Sequence, residues 1–296
     1  MWECLVCGLQ IHAARAEDIK RAVEYWGGSH VALLSLTVRH GFGDNLRATR
    51  RGVSRSFRRM INGAPWKRFR KQFGLEHHVR ALEVTHGGHG WHPHLHVLFF
   101  LDGKLTEDEL REATEWLRSR WAQCVRRALG DDFLPNDHGV DLRESKRADY
   151  LAKFSLEVVD PGTKRGRGTN RTPFEIATSA ASGKCPEDEQ LWVAYCEGMR
   201  GAKMLTWSDG LRAAVELDVE QGDQDAADSE EQEEAQTVAV IPGKIWDAIR
   251  DRPHMSCAIL EAAELAVGEA GAFTAIQDLL WGRGELKRRL PGDGLS

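Results

Sequence analysis

Residues 81–100 read Ala-Leu-Glu-Val-Thr-His-Gly-Gly-His-Gly-Trp-His-Pro-His-Leu-His-Val-Leu-Phe-Phe. Two alternating apolar runs flank a Gly-Gly-His-Gly turn, the pattern of a β-hairpin. With Gly88 and His89 as a two-residue loop, Gly87 faces Gly90 and Glu83 faces His94. Directly opposed residues of an antiparallel pair share a face, and the period of two puts His96 on that face as well. A one-residue slip would send Glu83 to the other side of the sheet. One carboxylate and two imidazoles thus converge, a donor set suited to a divalent metal with positions left for a substrate oxygen. His92 lies on the same face and is the alternative to Glu83 as third ligand. His86 and His89 belong to the turn and are expected to be exposed.

The chain has 296 residues, 42% of them hydrophobic and 29% charged, ordinary values for a globular protein. No apolar run approaches a membrane span and no signal-peptide pattern opens the chain, so a cytoplasmic protein without a membrane partner is expected. The six cysteines are scattered, which speaks against a disulfide framework. Cys4 and Cys7 form a lone C-x-x-C with His12 nearby, half of a zinc motif.

The net charge of −5 conceals two opposite parts. Residues 1–211 carry 32 Lys and Arg against 27 Asp and Glu, whereas residues 212–296 carry 8 against 18. Residues 47–71 hold ten basic side chains and no acid, among them Arg50, Arg51, Arg58, Arg59, Lys67 and Arg68, interleaved with Phe57, Trp66 and Phe69. A one-sign run of this density in an acidic protein asks for an anionic partner, and phosphates reward clustered Arg and Lys through counterion release. Those six residues are the candidate DNA contacts.

Along the chain, residues 15–27 read as a helix and His30–His40 as a strand. A long basic helical region follows, open to interruption at Gly63-Ala-Pro65, and then the hairpin of residues 79–101. Thr106-Glu-Asp-Glu109 has capping-box spacing for a helix to about Ala128. A short strand at Gly139–Arg143 leads into a helix over Ser145–Val158. Strand, helix, hairpin, helix, strand, helix predicts an α+β fold, a ferredoxin-like antiparallel sheet layered with helices. The expected organisation is an N-terminal segment with the lone C-x-x-C (1–29), a catalytic domain (30–160), a helical extension (161–215), an acidic disordered linker (216–238) and a small helical appendage (239–296). Ten acids and no base in residues 216–236 carry the linker assignment.

Tyr150, Lys153 and Glu157 fall at i, i+3 and i+7, one face of the helix after the short strand. A phenol of pKa about 10 is a poor nucleophile near neutrality. A metal that polarises a phosphate, with a cation to stabilise developing charge, supplies what it lacks.

Leu33-Leu-Ser-Leu-Thr-Val-Arg-His40, Trp91-His-Pro-His-Leu-His-Val-Leu98 and Tyr150-Leu-Ala-Lys153 resemble, in order, three motifs of rolling-circle replication initiators of the HUH endonuclease superfamily. Cys4-Leu-Val-Cys7 with Arg15, Arg171-Thr-Pro-Phe174 and Leu205-Thr-Trp-Ser-Asp-Gly-Leu-Arg212 resemble further segments of one plasmid branch. The resemblance covers about residues 3–212. It implies an HUH fold with helical C-terminal additions, and Mn²⁺ or Mg²⁺ on His94, His96 and Glu83. Tyr150 would be the nucleophile, assisted by Lys153. The product would be a 5′-phosphotyrosyl enzyme and a free 3′-hydroxyl at a plasmid origin. Origin DNA, single-stranded or as an extruded hairpin, is the implied partner, with a host polymerase and helicase. The water-activating Glu that some members of the family carry four residues before the Tyr is here Lys146, which leaves Glu144, Asp149 or Glu157 for termination. Rival readings are a single-tyrosine transposase or conjugative relaxase, a non-nicking DNA-binding initiator, and a two-histidine-one-carboxylate oxygenase, which would instead be an all-β jelly roll.

Overall fold

Alternation and capping act locally, and both are visible in the backbone. The computed structural model describes residues 5–27, 30–144, 170–181, 183 and 185–217. The chain divides into two units, residues 1–173 with 195–228, and residues 174–194 with 229–296. The first contains the whole sheet.

Its elements are α1 (Leu5–Trp26), β1 (Val31–Leu36), α2 (Leu46–Met60), α3 (Gly63–Gln72), β2 (Leu75–Gly87), β3 (Gly90–Leu101), α4 (Glu107–Leu129) and β4 (Val140–Glu144). Helices α5 (Pro173–Ala181) and α6 (Pro186–Met199), strand β5 (Leu205–Trp207) and the short α7 (Leu211–Ala214) complete the described residues. The architecture is mixed α+β. The sheet runs in the order β4-β1-β3-β2-β5, and every neighbouring pair is antiparallel. β1 and β2 therefore run the same way on either side of β3.

Several elements differ from the sequence reading. α1 starts ten residues before the expected Arg15, taking in Cys7, because the intervening Leu, Val, Gln, Ile and Ala are compatible with helix and Ile11 is fully buried. Cys4 lies outside the described residues. β1 stops at Leu36; beyond it Thr37 N–H donates to the Gly139 carbonyl and Arg39 N–H to the Phe133 carbonyl, so these residues bond to a loop. The basic region is two helices. α2 is capped by Asn45, whose side chain accepts from Ala48 N–H, and α3 tolerates Pro65 because it lies in the first turn. The expected helical extension is not helical throughout, since Leu205–Trp207 joins the sheet edge at β2. The expected helix over 145–158, the acidic linker and the C-terminal appendage lie outside the described residues. No described helix is long and apolar enough to cross a membrane.

The capping box is present: Thr106 Oγ1 accepts from Glu109 N–H while the Glu109 carboxylate accepts from Thr106 N–H. Each face of the sheet has its own helical cover. On one, Ala16, Ile19, Ala22 and Val23 of α1 pack with Val31, Leu33, Val79, Ala81, Leu98 and Phe100. The other is covered by α2, α3 and α4, with Phe57 edge-on to His78, Trp66 against Phe99, and Trp121 Nε1 donating to the Thr37 carbonyl. Gly52 allows α2 and α4 to approach closely, because a Cβ there would fall 2.1 Å from Leu129 Cδ2.

Candidate metal centre

The hairpin closes as the sequence predicts, with Gly87 opposite Gly90 and Glu83 opposite His94. Reading along β3 on the face that α1 shares, Phe100 and Leu98 belong to the apolar core, and His96, His94 and His92 continue the row beyond it. One strand thus changes from core to chemistry while keeping a single orientation. Glu83 Oε2 lies 2.9 Å from His94 Nε2 and 3.2 Å from His96 Nε2. All three residues are half-buried, and their ligand atoms lie within 4.8 Å of one another.

A single carboxylate oxygen facing two imidazole nitrogens needs a cation or a proton between them, and neighbouring bonds leave the nitrogens suited to a cation. His94 Nδ1–H donates to the His92 carbonyl at 3.1 Å, so the lone pair of that ring is on Nε2, toward Glu83. Ser35 Oγ lies 3.0 Å from His96 Nδ1, and by accepting from Nδ1–H it would leave the lone pair of that ring on Nε2 as well. Two borderline nitrogens and one hard oxygen form a group that could hold a metal ion.

His92 does not join the group. Its ring stacks on His40 at 4.4 Å, and its buried Nε2 has no hydrogen-bond partner among the described residues. Burial, followed by His94 and His40, pushes the His92 imidazole down to about 3. Burial also lowers His40 below its ordinary value. His89 is exposed as expected. His86 is half-buried, with its ring 4.7 Å from Trp91, because residue 86 bridges to Arg171 through paired backbone hydrogen bonds.

Tyr150 and Lys153 lie outside the described residues, as do Lys146, Asp149 and Glu157. The other tyrosines are poorly placed for attack. Tyr195 is buried against Trp91, whose side chain alternates with His92 and so faces away from the imidazoles. Tyr25 donates its hydroxyl to Glu216 at 3.2 Å. Glu144 pairs with Ala32, which puts it on the face opposite the metal ligands, and it forms an ion pair with Lys104 at 3.2 Å. Asp141 pairs with Ser35 and shares the ligands' face, held by Arg143 at 2.6 Å. Neither Ser35 nor Asp141 was singled out in the sequence, because their place beside His96 depends on which strands become neighbours.

The basic run divides between surface and interior. Arg51, Arg58, Arg59, Lys67 and Arg68 are exposed, whereas Arg50 is only 5% exposed and its Nε donates to the Gly198 carbonyl. Arg50, Arg51, Arg58 and Lys67 line a cavity of about 1180 Å³; Arg59 and Arg68 lie outside it.

Comparison with known proteins places this geometry in context. A family model described as replication protein matches residues 4–252. A protein of Streptomyces lividans named "Protein rep" is 30% identical over 349 aligned positions, which cover 92% of this chain and 75% of the relative. No solved structure matches the chain.

Proposed function

This chain belongs to the replication protein family, and from that membership we propose that it initiates rolling-circle replication by nicking origin DNA. The observation that carries the proposal is the Glu83–His94–His96 group, a metal-competent triad on adjacent strands of an antiparallel sheet. A sheet in which β1 and β2 flank β3 supports the ferredoxin-like arrangement of the HUH fold.

When bound, a divalent cation would supply Lewis-acid polarisation of the scissile phosphodiester. Glu83, His94 and His96 hold the site, and Ser35 with the His92 carbonyl orients the two rings. Tyr150 is the nucleophile in this reading. Its phenolic oxygen gives up its proton and bonds to phosphorus, the bond from phosphorus to the 3′ oxygen breaks, and that oxygen takes up one proton and leaves as a 3′-hydroxyl, so the proton count is unchanged. Lys153, three residues further along the sequence, stabilises the charge that develops. The product is a 5′-phosphotyrosyl protein with a primer end for a host polymerase, which a helicase would accompany. Arg51, Arg58, Arg59, Lys67 and Arg68, with Arg50 beneath them, hold the DNA backbone.

The test is incubation of the full chain with labelled single-stranded candidate origin DNA and Mn²⁺, followed by denaturing electrophoresis. A covalent protein–DNA adduct that disappears in excess chelator is expected. Strong DNA binding with no adduct across the whole origin region would overturn the nicking reading in favour of a non-nicking initiator.

A further inference from the structure

The cavity beside α2 and α3 has a charge balance that the metal centre does not explain. Nine Lys and Arg side chains line it against two acids, Glu76 and Asp209. Two of the nine form its floor: Arg50 is 5% exposed and Arg80 is 6% exposed. Arg80 Nε donates to Thr206 Oγ1 at 3.1 Å and its Nη2 to the Lys203 carbonyl at 2.7 Å. Arg50 Nε donates to the Gly198 carbonyl at 3.0 Å. All these acceptors are neutral, and among the described residues no carboxylate pairs with either guanidinium. Buried charges are normally paired, and leaving two together unpaired is unfavourable unless an anion enters. Burial, then Arg58 and Arg50, push Arg80 down to about 10, which leaves it charged at neutral pH.

The position is as informative as the charge. Arg80 is opposite Val97, so it points to the α2 side of the sheet, whereas Glu83, His94 and His96 point to the α1 side. The basic cavity and the metal centre are separated by the thickness of the sheet.

We propose that the cavity bounded by α2, α3 and the β2–β5 edge binds the phosphodiester backbone of a single nucleic-acid strand, with Arg50 and Arg80 as buried anchors and Arg200 and Lys203 at the rim. The proposal rests on the reading that the protein acts on DNA, and extends the basic surface of α2 and α3 inward to Arg80 and across to Arg200 and Lys203, with a single strand as its occupant. A single strand is favoured over a duplex because the anchors are recessed. A stiff, convex duplex meets side chains that project, whereas a flexible strand follows a groove and lowers its phosphates to the floor. His78, also lining the cavity and held neutral by burial and nearby arginines, adds a planar group beside the charges.

The experiment compares the full-length wild type with Arg200→Glu/Lys203→Glu, with Arg80→Gln, and with Arg118→Glu/Arg127→Glu on exposed α4 positions outside the cavity. Anisotropy of a labelled single-stranded oligonucleotide, and of a duplex of the same sequence, is read over a salt series in chelator. The rim pair is expected to weaken single-strand binding at least about tenfold and to reduce the log–log salt slope by about 1.4, two contacts' worth. The α4 pair should change both much less, and calorimetric Mn²⁺ affinity should be unchanged in the rim variant. Wild-type single-strand affinity and slope in the rim variant would overturn the proposal. So would an equal loss in the α4 variant, or a loss confined to the duplex. Arg80→Gln tests the floor, and the exposed rim pair keeps the test sound if that variant folds poorly. If wild-type protein forms no adduct yet the rim variant loses strand binding, the cavity assignment stands and the nicking reading fails. An adduct with unaltered binding in the rim variant gives the reverse.

Discussion

The Oε2 oxygen of Glu83 stands 2.9 Å from Nε2 of His94, and strand register alone brings them together. The third member, His96, is diagonal to the same carboxylate at 3.2 Å. Removing any of the three should lower Mn²⁺ affinity, measured by calorimetry, by at least about tenfold, a loss comparable to that seen even for supporting residues. His92→Ala should leave affinity almost unchanged, because the atom His94 uses is the backbone carbonyl of residue 92. Retained binding in Glu83→Ala with loss in His92→Ala would transfer the third position to His92.

Ser35 offers a finer test. Its hydroxyl meets His96 Nδ1 from the adjacent strand, so Ser35→Ala frees the ring without removing a ligand. The expected result is a roughly tenfold weaker metal affinity with an unchanged number of sites. Ser35→Thr should restore most of it, since it keeps the hydroxyl. An Ala variant with wild-type affinity would make the contact incidental.

Tyr150→Phe should abolish the covalent adduct while DNA affinity in chelator stays within about twofold, since only the hydroxyl is lost and phosphate contacts dominate binding. An adduct in the Phe variant would reassign the nucleophile, and peptide mapping of the adduct would locate it.

His78 links the fold to pH. Burial, followed by Arg70, His77 and Arg80, pushes its imidazole down to about 4. Above the unfolded value of about 6.5 both states are neutral and the group contributes no pH dependence. As pH falls from there toward 4, the unfolded chain takes up a proton that the folded chain refuses, so stability falls. Urea unfolding should show a contribution of about 2 kcal/mol lost at pH 5 relative to pH 7, and His78→Gln should flatten the dependence by that amount. An identical pH profile in the variant would remove His78 from the account.

The hairpin register, the capping box and the α+β class were legible in the sequence because each is written within a short span. β5 was not. Leu205-Thr-Trp is too short to show alternation, and it becomes a strand only because β2 offers an unpaired edge more than a hundred residues earlier. Arg80 was passed over for a related reason: one Arg in an alternating strand reads as solvated until α2 and β5 bury it. The metal ligands were visible and their supporting Ser35 was not, since choosing β1 as the neighbour of β3 is a tertiary decision.

Gly90 carries a backbone requirement at the metal end of the hairpin. Its φ is +84°, and a Cβ there would lie 3.0 Å from Phe42 Cα and 3.1 Å from the Gly41 carbonyl. Gly90→Ala should cost about 1–3 kcal/mol in chemical denaturation, because the left-handed geometry and the contact with main chain act together. A loss below that range would mean that the loop at residues 41–43 yields easily.

The ion pair between Asp18 and Arg212, at 2.8 Å, joins the start of this unit to its far end, and Leu211, Val215 and Leu217 lie in the same cluster as Ile19 and Val23. On a ribosome this has a temporal meaning. The first helix emerges long before the residues that cover it, and β2 waits with an open edge until Leu205–Trp207 has been made. Nascent chains that stall short of residue 217 would expose both an apolar helix face and a strand edge, the two surfaces that chaperones and aggregation compete for. The last-made part of the unit therefore decides when the first-made part can fold.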